Sequence, residues 1–322
     1  MSEEFRIASE SGVGCIEGDL ASTDGYSILR TLIWFPPARV TIRGVVQIIH
    51  GMSEHMERYE EFATALASKG YVVGGEDHSG HGKSACSDSQ LGHLPMDSGD
   101  EVLVSDARNF GLLLRGAFPT VPFFVMGHSM GSFIARILAE KYSEGIAGVI
   151  LCGTGNQPVA LSKAGHALTK LIARRNGPTH RSDLVDEMVM GTLSKGVKNA
   201  RTDTDWICCD PEVVDAYIAD PLCGQKFSLG GYAALTNLTA ACCSKRHAKK
   251  VPTELPLLFI GGEQDPVGNC GKGVKNAAQM YKKAGVRDVE TILYPGMRHE
   301  ILNEPGRAKV YLDVLNWIED HR

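Results

Sequence analysis

The sequence predicts an α/β fold in which a mostly parallel central sheet carries helices on both faces and a helical cap is inserted late in the chain. Three observations predict it. Short, wholly apolar runs alternate with segments of helical periodicity, polar glycine-bearing loops follow several of those runs, and the alternation then stops over residues 158–228. A chain of 322 residues suits one large core with an insertion.

A hairpin opens the pattern, with Ile16 and Leu20 before a Thr23-Asp24-Gly25 turn and the apolar stretch 28–34 after it. Pro36-Pro37 closes the hairpin. Residues 45–49, Val-Val-Gln-Ile-Ile, read as a strand buried on both faces. His50-Gly51 ends that strand, and a helix over 59–69 follows with Phe62, Leu66 and Ala67 at helical spacing. A strand starting at 71–73 runs into the polar loop 76–82, then come a helix over 102–114, a strand over 121–126, a helix over 132–142 and a strand over 148–152. Residues 158–228 are too many for an ordinary connection and too helical in pattern for a loop. They are therefore assigned to the cap, and residues 1–157 and 229–322 to the core. The core resumes with a helix over 232–243, a strand over 257–260, a helix over 274–283, a strand over 289–294 and a final helix over 307–319.

A formal net charge of −5 provides no basic field to gather phosphates, so nucleic acid is not expected as a partner. No apolar run reaches the ~20 residues that span a bilayer, and the opening Met1-Ser2-Glu3-Glu4 has no basic stretch followed by an apolar one. These features predict a soluble, cytoplasmic protein. The nine cysteines include the adjacent pairs Cys208-Cys209 and Cys242-Cys243 but no metal-ligand spacing, and are expected to be reduced and mostly buried. Asp77, His78 and His81 offer a carboxylate and two imidazoles, but no fourth ligand is spaced to complete a metal site. Neither metal nor cofactor is expected.

Gly127-His128-Ser129-Met130-Gly131 fits G-x-S-x-G, with an apolar strand entering directly and a glycine-free, proline-free helix leaving. That context makes Ser129 the candidate nucleophile, on a turn whose glycines remove clashing Cβ atoms. A serine hydroxyl needs a base to take its proton and an acid to orient the base. Asp265 lies 136 residues beyond Ser129, in a loop after a strand, and His299 lies a further 34 on, after the last strand. Each sits at a strand's carboxyl end, where open α/β sheets build their sites. Glu263 is the rival acid, disfavoured because Asp265 is followed by the turn-forming Pro266. Backbone N–H groups of Met52 and Met130 are the expected oxyanion donors.

With those residues in view, the chain resembles the monoacylglycerol lipase and lysophospholipase-like branch of the α/β-hydrolases. The resemblance rests on residues 50–55 with Arg58-Tyr59, on Asp77-His78 with residues 80–84, on 127–131, on Asp265-Pro266-Val267, and on Pro295-Gly296 with Arg298-His299-Glu300. It implies an α/β-hydrolase fold, a triad of Ser129, Asp265 and His299, Met52 and Met130 as oxyanion donors, and an ester of a single acyl chain as substrate. His50, Gly51, His128 and, by resemblance, Cys223 are placed near that substrate. Residue 53 is often glycine or alanine in relatives, and Ser53 stands here, with a consequence for the width of the acyl entrance. Two other readings stay open. One is an aminopeptidase or amidase using Asp205, Asp210 or Asp220 to hold an amine; the other is a non-catalytic ligand-binding member of the fold. In the cap, Leu161, Ala164, Leu168, Leu171 and Ile172 share one helical face, which either packs over the cleft or meets an anionic lipid surface.

Overall fold

The segment Gly44–Ile49 is buried at all six positions, which requires cover on both faces of the sheet that holds it. In the computed structural model, which describes residues 4–7 and 12–322, that sheet has nine strands. Residues 1–3, part of the opening stretch read above for a leader, lie outside the described residues. The strands are β1 (Glu4–Ile7), β2 (Gly14–Ala21), β3 (Ile28–Phe35), β4 (Gly44–Ile49), β5 (Tyr71–Glu76), β6 (Phe123–His128), β7 (Gly148–Cys152), β8 (Leu257–Gly262) and β9 (Val289–Tyr294). Their spatial order is β1-β2-β3-β5-β4-β6-β7-β8-β9. The first four in that order pair antiparallel, and from β5 to β9 every neighbour is parallel.

The hairpin forms as expected, with Ala21 opposite Ile28 and Gly14 opposite Phe35. Asp24 closes its turn by accepting the N–H groups of Tyr26 at 2.9 Å and Ser27 at 2.8 Å. Helices α1 (Glu60–Ala67), α2 (Gly99–Ala117) and α3 (Met130–Lys141) intervene between the core strands. The chain from β7 to β8 adds α4 (Val159–Asn176), α5 (Asp183–Val189), α6 (Pro211–Ala219), α7 (Leu229–Cys242) and the short α8 (Lys245–Ala248), and α9 (Lys272–Ala284) and α10 (Arg307–Asp320) complete the core.

Strand alternation divides the interior. Val45 and Ile49 of β4 join Phe110, Phe133, Leu138 and Tyr281 on one face, while Val46 and Ile48 join Phe62, Val314 and Trp317 on the other. Each fully buried side chain of this size contributes roughly 1.5–3 kcal/mol, so both faces are needed. Between β7 and β8 no strand forms among the described residues.

Only part of the apolar face of α4 meets the cleft, where Leu161 lines the cavity and Leu171 does not. The buried positions of α4 are Ser162, Thr169 and Ala173, small enough to let the helix lie close on α7, where Thr239 Oγ1 donates to Ser162 Oγ at 3.0 Å. Leu161 and Leu171 remain more than half exposed. Among the described residues no helix is long and apolar enough to cross a membrane.

Candidate active site

Ser129 joins β6 to α3 with φ 51° and ψ −118°, a conformation a non-glycine residue holds only when its surroundings force it. The two flanking glycines allow that tight turn. A Cβ at Gly127 would come within 2.2 Å of the Gly131 carbonyl oxygen, and one at Gly131 within 2.0 Å of that of Ile49. The Ser129 N–H donates to Cys152 O at 3.0 Å, tying the turn to the neighbouring strand.

Asp265 follows β8 and is wholly buried; its Oδ1 accepts the Val267 N–H at 2.8 Å, which leaves Oδ2 for His299 Nδ1 at 3.0 Å. Glu263 points to solvent, so the rival acid cannot reach the imidazole. On the other side of the ring Gly153 leaves room, since a Cβ there would sit 3.1 Å from His299 Cε1. Ser129 and His299 both line one cavity of about 730 Å³, and so do Met52 and Met130. Met130 is the first residue of α3, so its N–H is among those with no partner inside the helix.

Glu54 organises the loop after β4. Its Oε1 accepts the Gly51 N–H, the Tyr59 hydroxyl at 2.8 Å and His128 Nδ1 at 3.0 Å. Burial favours the neutral acid, but His128 and Arg58 outweigh it and hold the carboxyl far below its ordinary range. Burial likewise opposes charge on His128, and the Glu54 hydrogen bond and charge nevertheless raise it. Arg58 grips Glu300, the residue after His299, through two bonds of 2.6 and 2.7 Å. The oxyanion-side loop and the histidine loop are thereby joined.

A second tie comes from residues 205–209. Glu300 N–H donates to Ile207 O at 2.7 Å, and Arg298 Nη1 donates to the carbonyls of Asp205 at 2.5 Å and Cys208 at 2.9 Å. Wholly buried Glu304 accepts the N–H groups of Arg298 at 2.7 Å and Cys209 at 3.1 Å. Trp206, between these anchors, lays its ring 5.1 Å from that of His299. None of Glu54, Arg58, Trp206, Glu300 or Glu304 was assigned a role from sequence. Glu54, Arg58 and Glu300 stood in the segments that carry the resemblance, and the Glu-x-x-x-Arg spacing of the first two was a further local signal.

The other expected residues fall into two groups. His128 lines the cavity, as does Ser53, whose hydroxyl is tied to Gln225 O at 2.7 Å. His50, Gly51 and Cys223 are not among the residues that line it. His50 serves the loops instead, with Nδ1 donating to Gly51 O at 2.8 Å and Nε2 accepting the His78 N–H at 2.9 Å. Asp77 is spent on the Met56 and Lys83 N–H groups at 2.7 and 2.9 Å. The carboxylates considered for an amine are also engaged: Asp205 by Thr202, Asp210 as the cap of α6, and Asp220 by His55 at 2.9 Å.

Residues 41–306 match the family described as serine aminopeptidase, S33, also called Hydrolase_4. The chain belongs to this family. It is 30% identical over 307 residues to a monoacylglycerol lipase of Mycolicibacterium smegmatis, covering 95% of this chain and 97% of the relative. Human monoglyceride lipase is 28% identical, covering 93% of this chain and 89% of that one. A thermostable carboxyl esterase of Bacillus coagulans, solved with glycerol, superposes with a TM-score of 0.89 at 30% identity, over 95% of this chain and 98% of that one. This hydrolase thus stands in the monoacylglycerol-lipase-like branch of the α/β-hydrolases and is a carboxylic ester hydrolase.

Proposed function

We propose that the hydrolase cleaves monoacylglycerols or similar single-chain acyl esters, with Ser129, Asp265 and His299 as its triad. The observation that carries this is the 3.0 Å bond from buried Asp265 to His299, beside a strained Ser129 in the same cavity. His299 takes the hydroxyl proton as Ser129 attacks the ester carbonyl, and Asp265 holds the tautomer and steadies the imidazolium. The N–H groups of Met52 and Met130 receive the oxyanion. Water then cleaves the acyl-enzyme by the same path. Phe133, Leu161, Met188, Val189, Leu193 and Leu235 supply apolar wall for an acyl chain, and Glu54, His128 and Glu300 supply polar groups for a hydroxylated head.

Residues 158–228 act as the cap, and the outward Leu171 and Leu184 support peripheral contact with a lipid surface. Eight free cysteines besides Cys15, three of them exposed, support a reducing, cytoplasmic setting. The test compares wild type with Ser129→Ala on p-nitrophenyl esters of graded length, a monoacylglycerol and an aminoacyl anilide. The expected result is turnover on medium or long esters that falls at least ~10³-fold in the variant. Equal turnover in both proteins, or cleavage of the anilide alone, would overturn the proposal.

A further inference from the structure

After α6 the cap turns sharply through Asp220-Pro221-Leu222-Cys223-Gly224. The Cys223 N–H donates to Asp220 O at 3.1 Å, Asp220 Oδ1 accepts the Leu222 N–H at 2.8 Å, and Gly224 leaves the turn with a φ of 75°. The i, i+3 spacing of Asp220 and Cys223 is that of zinc-binding Cys-x-x-Cys turns, with a carboxylate in place of the first thiolate. The cysteines show no such spacing among themselves, and it emerges only when that carboxylate is counted.

The core supplies a third donor. A ring nitrogen of His55, a carboxylate oxygen of Asp220 and Cys223 Sγ all lie within 4.8 Å of one another. Ligands at ~2.0–2.3 Å from a tetrahedral zinc are roughly 3.3–3.7 Å apart, so side-chain shifts of about 1 Å complete the geometry. His55 and Cys223 are buried, whereas Asp220 is partly exposed and leaves a path for an ion and a fourth ligand from solvent. The His55 ring has one hydrogen bond, from Nε2 to Asp220 Oδ2 at 2.9 Å, and its buried Nδ1 has no partner among the described residues. Exchanging that bond for a metal ion therefore breaks no other. The two segments are already held together beside the cluster, since Ser53 O accepts the Gly224 N–H and the Tyr217 hydroxyl, each at 2.9 Å. Arg58 faces the same region, stacked on Tyr217 at 4.7 Å, but its charge is met by Glu300 at 2.6 and 2.7 Å.

We infer that His55, Asp220 and Cys223 form a zinc site that clamps the cap to the loop carrying Met52. His55 binds as the neutral imidazole, and Cys223 gives its thiol proton to solvent as the metal–sulfur bond forms. One carboxylate and one thiolate balance the two charges of the ion, which suits a site with little access to water. The clamp restrains residues 217–225 against residues 53–55, next to the backbone expected to receive the oxyanion.

The test adds Zn²⁺ or Co²⁺ alone to the chelator-treated full-length protein. Wild type is expected to take up one zinc that Cys223→Ala does not, and its cobalt form to show a thiolate-to-metal charge-transfer band that the variant loses. Zinc should raise the melting temperature of wild type by at least ~2 °C and leave that of Cys223→Ala in place. Asp220→Cys, which completes a two-thiolate turn, should bind zinc about tenfold tighter than wild type. A wild-type cobalt form without the band, or a Cys223→Ala form that keeps it, would overturn the site. Equal zinc uptake by wild type and Cys223→Ala would overturn it too, and would assign the ion to another group such as Asp288, Glu290 and His321. Should Cys223→Ala fail to melt cooperatively, Asp220→Cys decides, and no gain in its affinity defeats the proposal. None of these readouts depends on the triad assignment.

Discussion

Asp265 and Glu263 stand at the end of the same strand, yet only Asp265 turns inward to His299. Asp265→Asn should therefore lower kcat by about 10⁴-fold through the wrong imidazole tautomer, as it does in triads generally, while Glu263→Gln stays near wild type. Comparable losses in the two variants on a p-nitrophenyl ester would reverse the assignment. The Glu54 and His128 pair sets a pH dependence. His128 is raised in the fold, so its stabilisation is complete below the ordinary histidine value near ~6.5 and is lost as pH rises through the raised value. The melting-temperature advantage of wild type over His128→Asn should accordingly shrink on the alkaline side; an advantage that grows there would show that His128 is not the charged partner. That Asp265 meets His299 beside Ser129 was legible because each of the three follows a strand in the order such sheets use. Arg58 and Glu300 were not, since a pair 242 residues apart leaves no local period to read.

Most elements were legible to within a few residues, because strands buried on both faces read as unbroken apolar runs. The helix expected from residue 232 begins earlier, at Leu229, since Ser228 caps it by accepting the Gly231 N–H. β1 was not anticipated: four residues that include Glu4 and Arg6 carry no apolar run. For the α4 face both the cleft and a lipid surface stayed open, because helical periodicity locates an apolar stripe without saying what covers it, and Leu161 alone of that stripe lines the cavity. Here small residues, able to approach α7, took the buried side. Residues 205–209 carry no periodicity at all, and their importance lies in the bonds to the histidine loop. Glu304 is the centre of that tie. Glu304→Ala leaves two N–H donors without an acceptor, each costing about 1–3 kcal/mol, whereas Glu304→Gln keeps an acceptor oxygen. The alanine variant should lower both the urea midpoint and kcat, with glutamine near wild type. Loss of stability without loss of kcat would mean the tie supports the fold but not His299.

At the scale of the whole molecule, the alternating elements and the interruption were legible, but the strand order was not. β5 lies between β3 and β4, a pairing settled by which apolar faces the helices cover and not by neighbours in sequence. The same global packing decides where apolar surface is left over. Leu161 and Leu171 of α4, Leu184 and Met188 of α5 and Ile218 of α6 are all more than half exposed, and all belong to the inserted stretch. Apolar side chains gathered on one insertion, with Arg174 and Arg175 exposed nearby, suit the boundary of an anionic bilayer. Each leucine withdrawn from water there contributes roughly 1.5–3 kcal/mol, equivalent to tenfold or more in partitioning. The double variant Leu171→Asp with Leu184→Asp, neither of which lines the cavity, should float with anionic vesicles at least about tenfold less than wild type. Its turnover of a soluble short-chain ester should be unchanged, so that any loss on vesicle-borne monoacylglycerol reports delivery from the surface and not chemistry. Equal flotation of variant and wild type, abolished in both by salt, would assign the attraction to the basic side chains and leave the apolar face without that role.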